Sequence, residues 1–126
     1  MDPLLNFRKT LSELKIYVSL PIQNTRDRAG IIQGFEFTFE QAWKAIQKKA
    51  SPLGLEVGSP KKAFTVAMQN SWISTQEESK WLQLLTDRNL TTHTYQEDLA
   101  KEVVGRVIHD YVPMFERLLT TLEKTK

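Results

Sequence analysis

The residue types best suited to chemistry are concentrated in the stretch 87–95, DRNLTTHTY. Within it lie a guanidinium at Arg88, an imidazole at His93 and a phenol at Tyr95. An imidazole exchanges protons near neutral pH, and a planar guanidinium stabilises charge on phosphoryl oxygens through paired hydrogen bonds. Together these groups favour metal-free phosphodiester cleavage. His93 would move protons to or from the ribose 2′-hydroxyl or the leaving oxygen, and Arg88 would stabilise the oxygens on phosphorus.

The stretch is predicted to lie between two helices. Four threonines lie in it or just before it: Thr86, Thr91, Thr92 and Thr94. Threonine loses side-chain freedom in a helix and bonds readily to its own backbone, so these residues predict a break. Thr94 and Glu97 have the spacing of a capping box, which predicts that the next helix begins there. Arg88 is then expected in the last turn of one helix. His93 is expected just outside the first turn of the next, where free backbone amides suit a phosphate.

Length and composition predict one domain, residues 1–126, with 40% hydrophobic and 25% charged residues. These values are close to those of ordinary globular domains. The chain has no cysteine, which excludes disulfides and thiolate metal sites and fits a reducing compartment. The N-terminus lacks a secretory pattern, and no apolar run is long enough to span a membrane. A cytoplasmic protein without membrane contact is therefore expected.

The charge balance argues against an extended nucleic-acid-binding surface. The 17 basic and 15 acidic residues give a formal net charge of +2. Domains that bind nucleic acid usually carry a strong basic excess. Any contact with RNA is therefore expected to come from a local patch, and the balance counts modestly against a nuclease.

Apolar residues recur at helical spacing along the chain, and no run alternates long enough to form a strand. The pattern predicts an all-α fold, an up-and-down antiparallel four-helix bundle with one additional short helix. The predicted helices are Pro3 to about Val18, about Arg28 to Ala50, Pro60 to about Ser71, Ser74 to Arg88, and about Tyr95 to Leu122. Asp2 is expected to cap the first helix, and Ser74 is expected to open the fourth through a capping box with Glu77. Pro113 is expected to kink the last helix near His109–Val112.

The second predicted helix is apolar on two faces. Ile32, Phe35 and Phe39 share one stripe, whereas Phe37 falls on another face. An exposed aromatic residue outside the core suits a second interface. The bundle is therefore expected to form a symmetric dimer.

Two strings in the chain resemble a known family. Arg88, His93 and Tyr95 form an R-x4-H-x-Y motif similar to that of the HEPN superfamily. The strings RNLTTHTY at 88–95 and FEFTFEQAWK at 35–44 resemble the branch called nucleotidyltransferase substrate-binding proteins. The resemblance spans roughly residues 28–119. The sequence departs from the family at Gly34, where a basic residue is common, and this departure weakens any role of that position in phosphate binding.

The resemblance implies a toxin-type, metal-independent RNase that is the partner of a minimal nucleotidyltransferase encoded nearby. Arg88 and His93 would be the catalytic residues, and a symmetric homodimer would bring two copies of His93 to one cleft. The resemblance also implies that the nucleotidyltransferase modifies Tyr95 with AMP and thereby silences the RNase. The bound molecule would be RNA (a tRNA or an mRNA) or a nucleotide, and no cofactor or metal is expected.

Four further polar residues are candidates for supporting roles. Asp87 and Asn89 would position the arginine or the substrate, or would cap the end of the helix. Glu36 and Glu40 lie four residues apart on one helix face. Such a pair can act as an acid–base couple or bind a metal ion. A solvated face, or a contact to a basic group across the bundle such as Arg88, is the favoured interpretation.

Three functions stay open on the sequence alone. The intact R-x4-H spacing favours a toxin-type RNase. The near-neutral charge and the similarity to the substrate-binding branch favour a non-catalytic subunit that presents a nucleotide or substrate to the nucleotidyltransferase. In the third alternative the chain is a structural dimeric bundle whose polar motif stabilises an interface.

Overall fold

The computed structural model describes residues 2–125, and within this range it contains helices and no β-strand. The α-helices are α1 Pro3–Ser19, α2 Thr25–Ala50, α3 Pro60–Gln69, α4 Glu78–Leu90, α5 Glu97–Arg106 and α6 Val112–Lys124. Short 3-10 turns lie at Ser51–Leu53, Thr75–Glu77 and Thr91–His93, and a π-helical turn, Val107–Tyr111, joins α5 to α6. The predicted all-α fold is confirmed. No helix in the described range is long and apolar enough to cross a membrane.

The first two helices begin where side chains satisfy free backbone amides. Asp2 accepts a hydrogen bond from the amide of Leu4 at 3.0 Å, and Pro3 occupies the first position of α1, as predicted. The start of α2 was predicted too late in the chain. Asn24 accepts a hydrogen bond from the amide of Asp27 at 2.9 Å, so the helix begins at Thr25 and not near residue 28.

The capping box predicted before α4 is wrong. Ser74 accepts a hydrogen bond from the amide of Gln76 at 3.2 Å, but it opens a 3-10 turn, and α4 begins only at Glu78. The carboxylate of Glu77 binds Arg117 of α6 instead of the backbone. A long-range ion pair has therefore replaced the local contact that the sequence spacing favoured.

α2 lies at the centre of the bundle and packs against α1, α3, α5 and α6. Its buried Phe35 stacks on Tyr111, with ring centroids 5.4 Å apart. α4 joins the same core through Trp81, whose ring lies 4.7 Å from that of Phe64 on α3. Offset and tilted aromatic pairs of this kind stabilise a core beyond the burial of their area. The aromatic residues thus join α4 to α3, and Phe39, whose ring centroid lies 5.9 Å from that of Phe64, joins α3 to α2.

Phe37 lies outside this core, with 54% of its surface exposed. The neighbouring residues Glu36 and Thr38 are half-buried and buried, respectively, so α2 carries an apolar side chain on a second face. This arrangement agrees with the prediction from sequence spacing.

The final helix is interrupted where Pro113 was expected to disturb it. Proline has no amide to donate, and its ring clashes with the carbonyl one turn earlier in a regular α-helix. The backbone adopts the π-helical turn Val107–Tyr111 directly before α6, and Pro113 occupies one of the first two positions of α6. The wider π turn is a known way of accommodating such an interruption.

α1 and α2 approach each other closely at Gly34. A Cβ atom at this position would lie 3.1 Å from Cδ1 of Leu14 and 3.4 Å from Cδ2 of Tyr17. At Gly30, one turn earlier, a Cβ atom would meet no atom within 4 Å. A basic side chain, common at position 34 in the family that the sequence resembles, would therefore require the side chain of Leu14 to shift.

We expect Gly30→Ala to raise the free energy of unfolding by about 0.8 kcal/mol, because alanine is the better helix former and the site has room. Gly34→Ala should give little or no gain, since crowding against Leu14 offsets the same helix preference. The measurement is urea unfolding followed by far-UV circular dichroism. Gly105→Ala on α5, where nothing lies within 4 Å, serves as a second unobstructed control. Equal gains at positions 30 and 34 would contradict the close approach.

Candidate functional site

Arg88 lies in the last turn of α4, as predicted, and its side chain is held against α2. Its Nη1 atom lies 3.3 Å from the carboxylate of Glu36 and 3.0 Å from the hydroxyl of Thr91. Its guanidinium carbon lies 5.7 Å from the centre of the Phe39 ring, within the range of a cation–π interaction. These contacts hold the guanidinium in place while 31% of the side chain stays exposed.

Thr91 links the arginine to α2 and is itself buried. Its hydroxyl lies 2.8 Å from the carbonyl oxygen of Arg88 and 3.1 Å from the carboxylate of Glu36. From the sequence alone, Thr91 is expected only to break the helix. The available signal was its spacing of three residues from Arg88, because a threonine hydroxyl often bonds the carbonyl three residues earlier at a helix end.

His93 and Tyr95 lie on the exposed side of the turn that follows α4. His93 ends the 3-10 turn Thr91–His93, and 79% of the surface of Tyr95 is exposed. Their ring centroids are 6.3 Å apart, and the ring planes are inclined at 62°. The structure thus places an imidazole and a phenol side by side, where a large substrate or a modifying protein can reach both.

The capping box predicted at Thr94 and Glu97 is also wrong. The hydroxyl of Thr94 donates to the carbonyl of Thr91 at 2.8 Å and therefore continues the turn. α5 begins at Glu97 without a side-chain cap, and Glu97 binds Arg28 of α2 at 2.8 Å. Because residues 94–96 separate His93 from α5, the imidazole does not lie directly beside the first turn of that helix.

Asp87 is fully buried, and its contacts differ from the expected positioning of Arg88 or the substrate and from capping of the helix end. It accepts hydrogen bonds from Nε of Arg106 at 2.6 Å, from Nη2 of Arg106 at 2.9 Å and from the side-chain amide of Gln83 at 3.2 Å. The hydroxyl of Tyr111 also donates to it. Asp87 therefore positions a different arginine from Arg88, and it joins α4 to α5 and the π turn.

The partners of Asp87 have shifted pKa values. The hydrogen bond to Asp87 raises the pKa of Arg106 above its ordinary value, and the charge of the carboxylate acts in the same direction. Burial raises the pKa of the Tyr111 phenol, and the hydrogen bond to Asp87 raises it further. Both groups keep their protons at neutral pH. No local sequence signal could have revealed these partners, because they lie 19 and 24 residues from Asp87.

Glu36 and Glu40 have separate partners although they share a face of α2. Glu36 binds Arg88, whereas both oxygens of Glu40 accept from the indole nitrogen of Trp43, at 3.0 and 3.2 Å. The predicted contact to a basic group across the bundle is therefore made by Glu36 and not by Glu40. In residues 2–125, no three acidic or histidine side chains are grouped to hold a metal ion.

An open groove of about 390 Å³ lies beside Arg88. Its lining comes from Phe39 and Glu40 of α2, from residues 59–61 at the start of α3, and from Leu85, Arg88 and Asn89 of α4. His93 and Tyr95 do not line it. The structure thus brings Glu40, Arg88 and Asn89 together at one groove and places His93 and Tyr95 on the adjacent turn.

These features define an all-α helical bundle that holds one arginine against its central helix and exposes a histidine and a tyrosine on the next turn. The chain belongs to the family described as nucleotidyltransferase substrate binding protein like, which matches residues 2–124. The resemblance to this branch, noted from two short strings, is confirmed and extends over nearly the whole chain.

A solved structure supports the same fold. The crystal structure of a protein from Thermus thermophilus is similar to this chain, with a TM-score of 0.84 and 36% sequence identity. The match covers 92% of this chain and 98% of the other. Among curated proteins, no sequence match was found.

We expect Tyr111→Phe to lower the free energy of unfolding at pH 7 by about 1.5 kcal/mol, because a hydrogen bond to a buried carboxylate is lost. The difference from wild type should shrink as the pH rises above the ordinary tyrosine pKa of 10.0. Above that pH the unfolded wild-type chain releases the Tyr111 proton while the folded chain keeps it, so wild type loses stability that the variant never had. Urea unfolding between pH 7 and pH 11 measures both effects.

Tyr17→Phe is the matched control, because Tyr17 is exposed and forms no side-chain hydrogen bond within residues 2–125. Its difference from wild type at pH 7 should be small. A Tyr111→Phe difference that stays constant up to pH 11 would contradict the raised pKa of Tyr111.

Proposed function

We propose that residues 1–126 act as one HEPN-like domain in a cytoplasmic two-component complex with a minimal nucleotidyltransferase, and that the domain is a toxin-type, metal-independent RNase. One observation carries this proposal. Arg88 is held by Glu36, Thr91 and Phe39 at the start of the R-x4-H-x-Y motif, while His93 lies exposed on the next turn. Membership of the nucleotidyltransferase substrate-binding family supports the choice of partner.

The guanidinium of Arg88 has one edge available for a phosphate. Its Nη1 atom faces Glu36 and Thr91, whereas Nε and Nη2 form no hydrogen bond with residues 2–125. The equivalent edge of Arg106 is occupied by Asp87 through two hydrogen bonds. A planar edge with two donors binds two phosphoryl oxygens, and it stabilises the extra charge that develops on them during cleavage.

His93 supplies the proton transfer. The ribose 2′-oxygen attacks phosphorus and forms a new P–O bond, while the bond from phosphorus to the 5′-oxygen breaks. One imidazole removes the proton from the 2′-hydroxyl, and a second proton must reach the leaving 5′-oxygen. A symmetric homodimer supplies a second His93 for that role. The exposed Phe37 on the outer face of α2 supports such an interface.

Tyr95 is the site at which the partner silences the RNase. Its phenolic oxygen would attack the α-phosphorus of ATP held by the nucleotidyltransferase, lose its proton and displace pyrophosphate. The phosphate of the attached AMP would then lie beside His93, whose ring is 6.3 Å from that of Tyr95. The high exposure of Tyr95 supports access by a second protein.

A second function is favoured by the groove beside Arg88. In this alternative the chain has no chemistry of its own and presents a nucleotide or other substrate to the nucleotidyltransferase. The volume of about 390 Å³ is in the range of small-molecule sites. The family description, which names substrate binding, supports the same alternative.

We expect purified wild-type protein to cleave total tRNA in EDTA, and His93→Ala to slow cleavage by at least about 100-fold because the proton-transfer group is lost. Arg88→Ala should have an effect of similar size, since charge on phosphorus is no longer stabilised. Gel analysis of tRNA fragments over time measures both rates, and circular dichroism with light scattering confirms that each variant keeps its fold and assembly.

Two matched controls test whether these effects are specific. His109→Ala removes the other histidine, and Arg26→Ala removes another exposed arginine. Both variants should cleave at the wild-type rate. If wild type does not cleave, or if the His93 and Arg88 variants cleave as fast as wild type, the RNase proposal fails. Nucleotide binding then separates the substrate-binding subunit from a purely structural dimeric bundle.

With the partner nucleotidyltransferase and ATP, we expect intact-protein mass spectrometry to show addition of one AMP to the wild-type chain. Tyr95→Phe should abolish the addition, because the attacking phenolic oxygen is absent. Tyr17→Phe, which alters another exposed tyrosine, should be modified like wild type. Unchanged modification of the Tyr95→Phe variant would show that the site lies elsewhere.

A further inference from the structure

We propose that the groove beside Arg88 is a base-binding subsite that selects guanine, and that a guanosine nucleotide binds there with its phosphate at Arg88 and Lys61. This inference deepens the proposed function, because it names the nucleotide next to the reacting phosphate. Its binding step does not depend on catalysis, since a nucleotide can occupy the groove whether or not RNA is cleaved.

The walls of the groove suit a flat heteroaromatic ring. Pro60 at the start of α3 and Leu85 of α4 supply half-buried apolar surface from two helices. Phe39 of α2 is buried beneath the groove, and the Arg88 guanidinium lies over its ring at 5.7 Å, so the planar guanidinium is held at the groove surface. Bases bind proteins by stacking on such apolar, aromatic and guanidinium surfaces.

Glu40 determines which base is preferred. Its two oxygens share the indole N–H of Trp43, at 3.0 and 3.2 Å, which holds the carboxylate in one orientation. Each carboxylate oxygen keeps a further lone pair for a ligand, and a carboxylate can only accept. Guanine presents two adjacent donors, N1–H and the N2 amine, that match two acceptor oxygens. Uracil, cytosine and adenine each place a carbonyl oxygen or an unprotonated ring nitrogen beside their single donor.

Asn89 complements this preference from the opposite helix. It is exposed in the last turn of α4, lines the same groove, and its side chain forms no hydrogen bond with residues 2–125. The amide group can donate to guanine O6 while Glu40 accepts from N1–H and N2. Two polar side chains on two helices therefore read three adjacent positions of one base edge.

The positive charges of Arg88 and Lys61 determine where the phosphate of the nucleotide would bind. Arg88 keeps its Nε and Nη2 edge available, and Lys61 forms no ion pair within residues 2–125. Both cations line the groove with Glu40, whereas Glu36, which pairs with Nη1 of Arg88, does not line it. A base held at Glu40 would extend its phosphate toward these two cations, which places the phosphate at the arginine of the R-x4-H-x-Y motif.

The test measures binding of 5′-GMP, 5′-AMP, 5′-CMP and 5′-UMP by isothermal titration calorimetry, with wild-type protein and with His93→Ala, which retains the groove. We expect GMP to bind at least about 10-fold more tightly than the other three, a typical discrimination for a paired hydrogen-bond contact to one base. Glu40→Gln should reduce this preference to within about threefold, because a glutamine offers only one acceptor oxygen while it can still bond Trp43.

Lys61→Ala should weaken all four nucleotides by a similar factor and reduce the dependence of binding on salt, since it removes a phosphate contact and no base contact. Lys62→Ala is the matched control, because this neighbouring lysine is exposed and does not line the groove. Glu102→Gln, an exposed substitution on α5, controls for the charge change at Glu40.

The outcomes of the binding and cleavage experiments separate the two proposals. GMP selectivity that Glu40→Gln removes supports the groove even if the protein never cleaves RNA. Equal affinities for all four nucleotides, no binding at millimolar concentration, or selectivity that survives Glu40→Gln would overturn the subsite, even if His93-dependent cleavage is observed.

Discussion

The buried carboxylate of Asp87 is the constraint on which the position of the candidate site depends. A charge removed from water is tolerated only when hydrogen bonds and an opposite charge compensate for the lost hydration. Arg106, Tyr111 and Gln83 provide this compensation, and the first two lie at the end of α5 and in the π turn. The end of α4 therefore cannot separate from α5 without leaving an uncompensated charge. Arg88, the next residue in the chain, is positioned by the same restraint.

Adjacent residues at the end of α4 have opposite roles because helical geometry turns the chain by about 100° per residue. Asp87 points inward to the buried cluster, whereas Arg88 points along the surface of α2 toward Glu36. The two arginines of this region differ in the same way. Arg106 directs its paired donors to a protein carboxylate and has a structural role. Arg88 is held through one nitrogen and by the Phe39 ring, and its Nε and Nη2 donors form no hydrogen bond with residues 2–125.

The near-neutral charge of the chain is compatible with local anion binding once ion pairs are considered. Arginines at several positions bind carboxylates on other elements, among them Arg28 with Glu97 and Arg117 with Glu77. Such pairs compensate most of their charge locally and contribute little to an extended potential. A net charge of +2 therefore does not describe the surface around the groove, where Lys61 forms no ion pair within residues 2–125 and Arg88 is paired with Glu36 through Nη1 alone. A local patch of this kind is what the composition had allowed.

The sequence by itself determined the all-α fold, the approximate positions of the helices, the break after α4 and the motif, because helical periodicity, prolines and clustered threonines act over a few residues. Two short strings in the sequence, at 35–44 and 88–95, were also sufficient to indicate the family. Only the tertiary structure decided which side chains meet. Thr94 had a capping-box spacing, yet its hydroxyl bonds the carbonyl of Thr91, since the two local hydrogen bonds are close in energy and packing selects between them. Asp87 could not be assigned to Arg106 and Tyr111 from the sequence, because these contacts join residues 19 and 24 positions apart and exist only after α4 packs against α5.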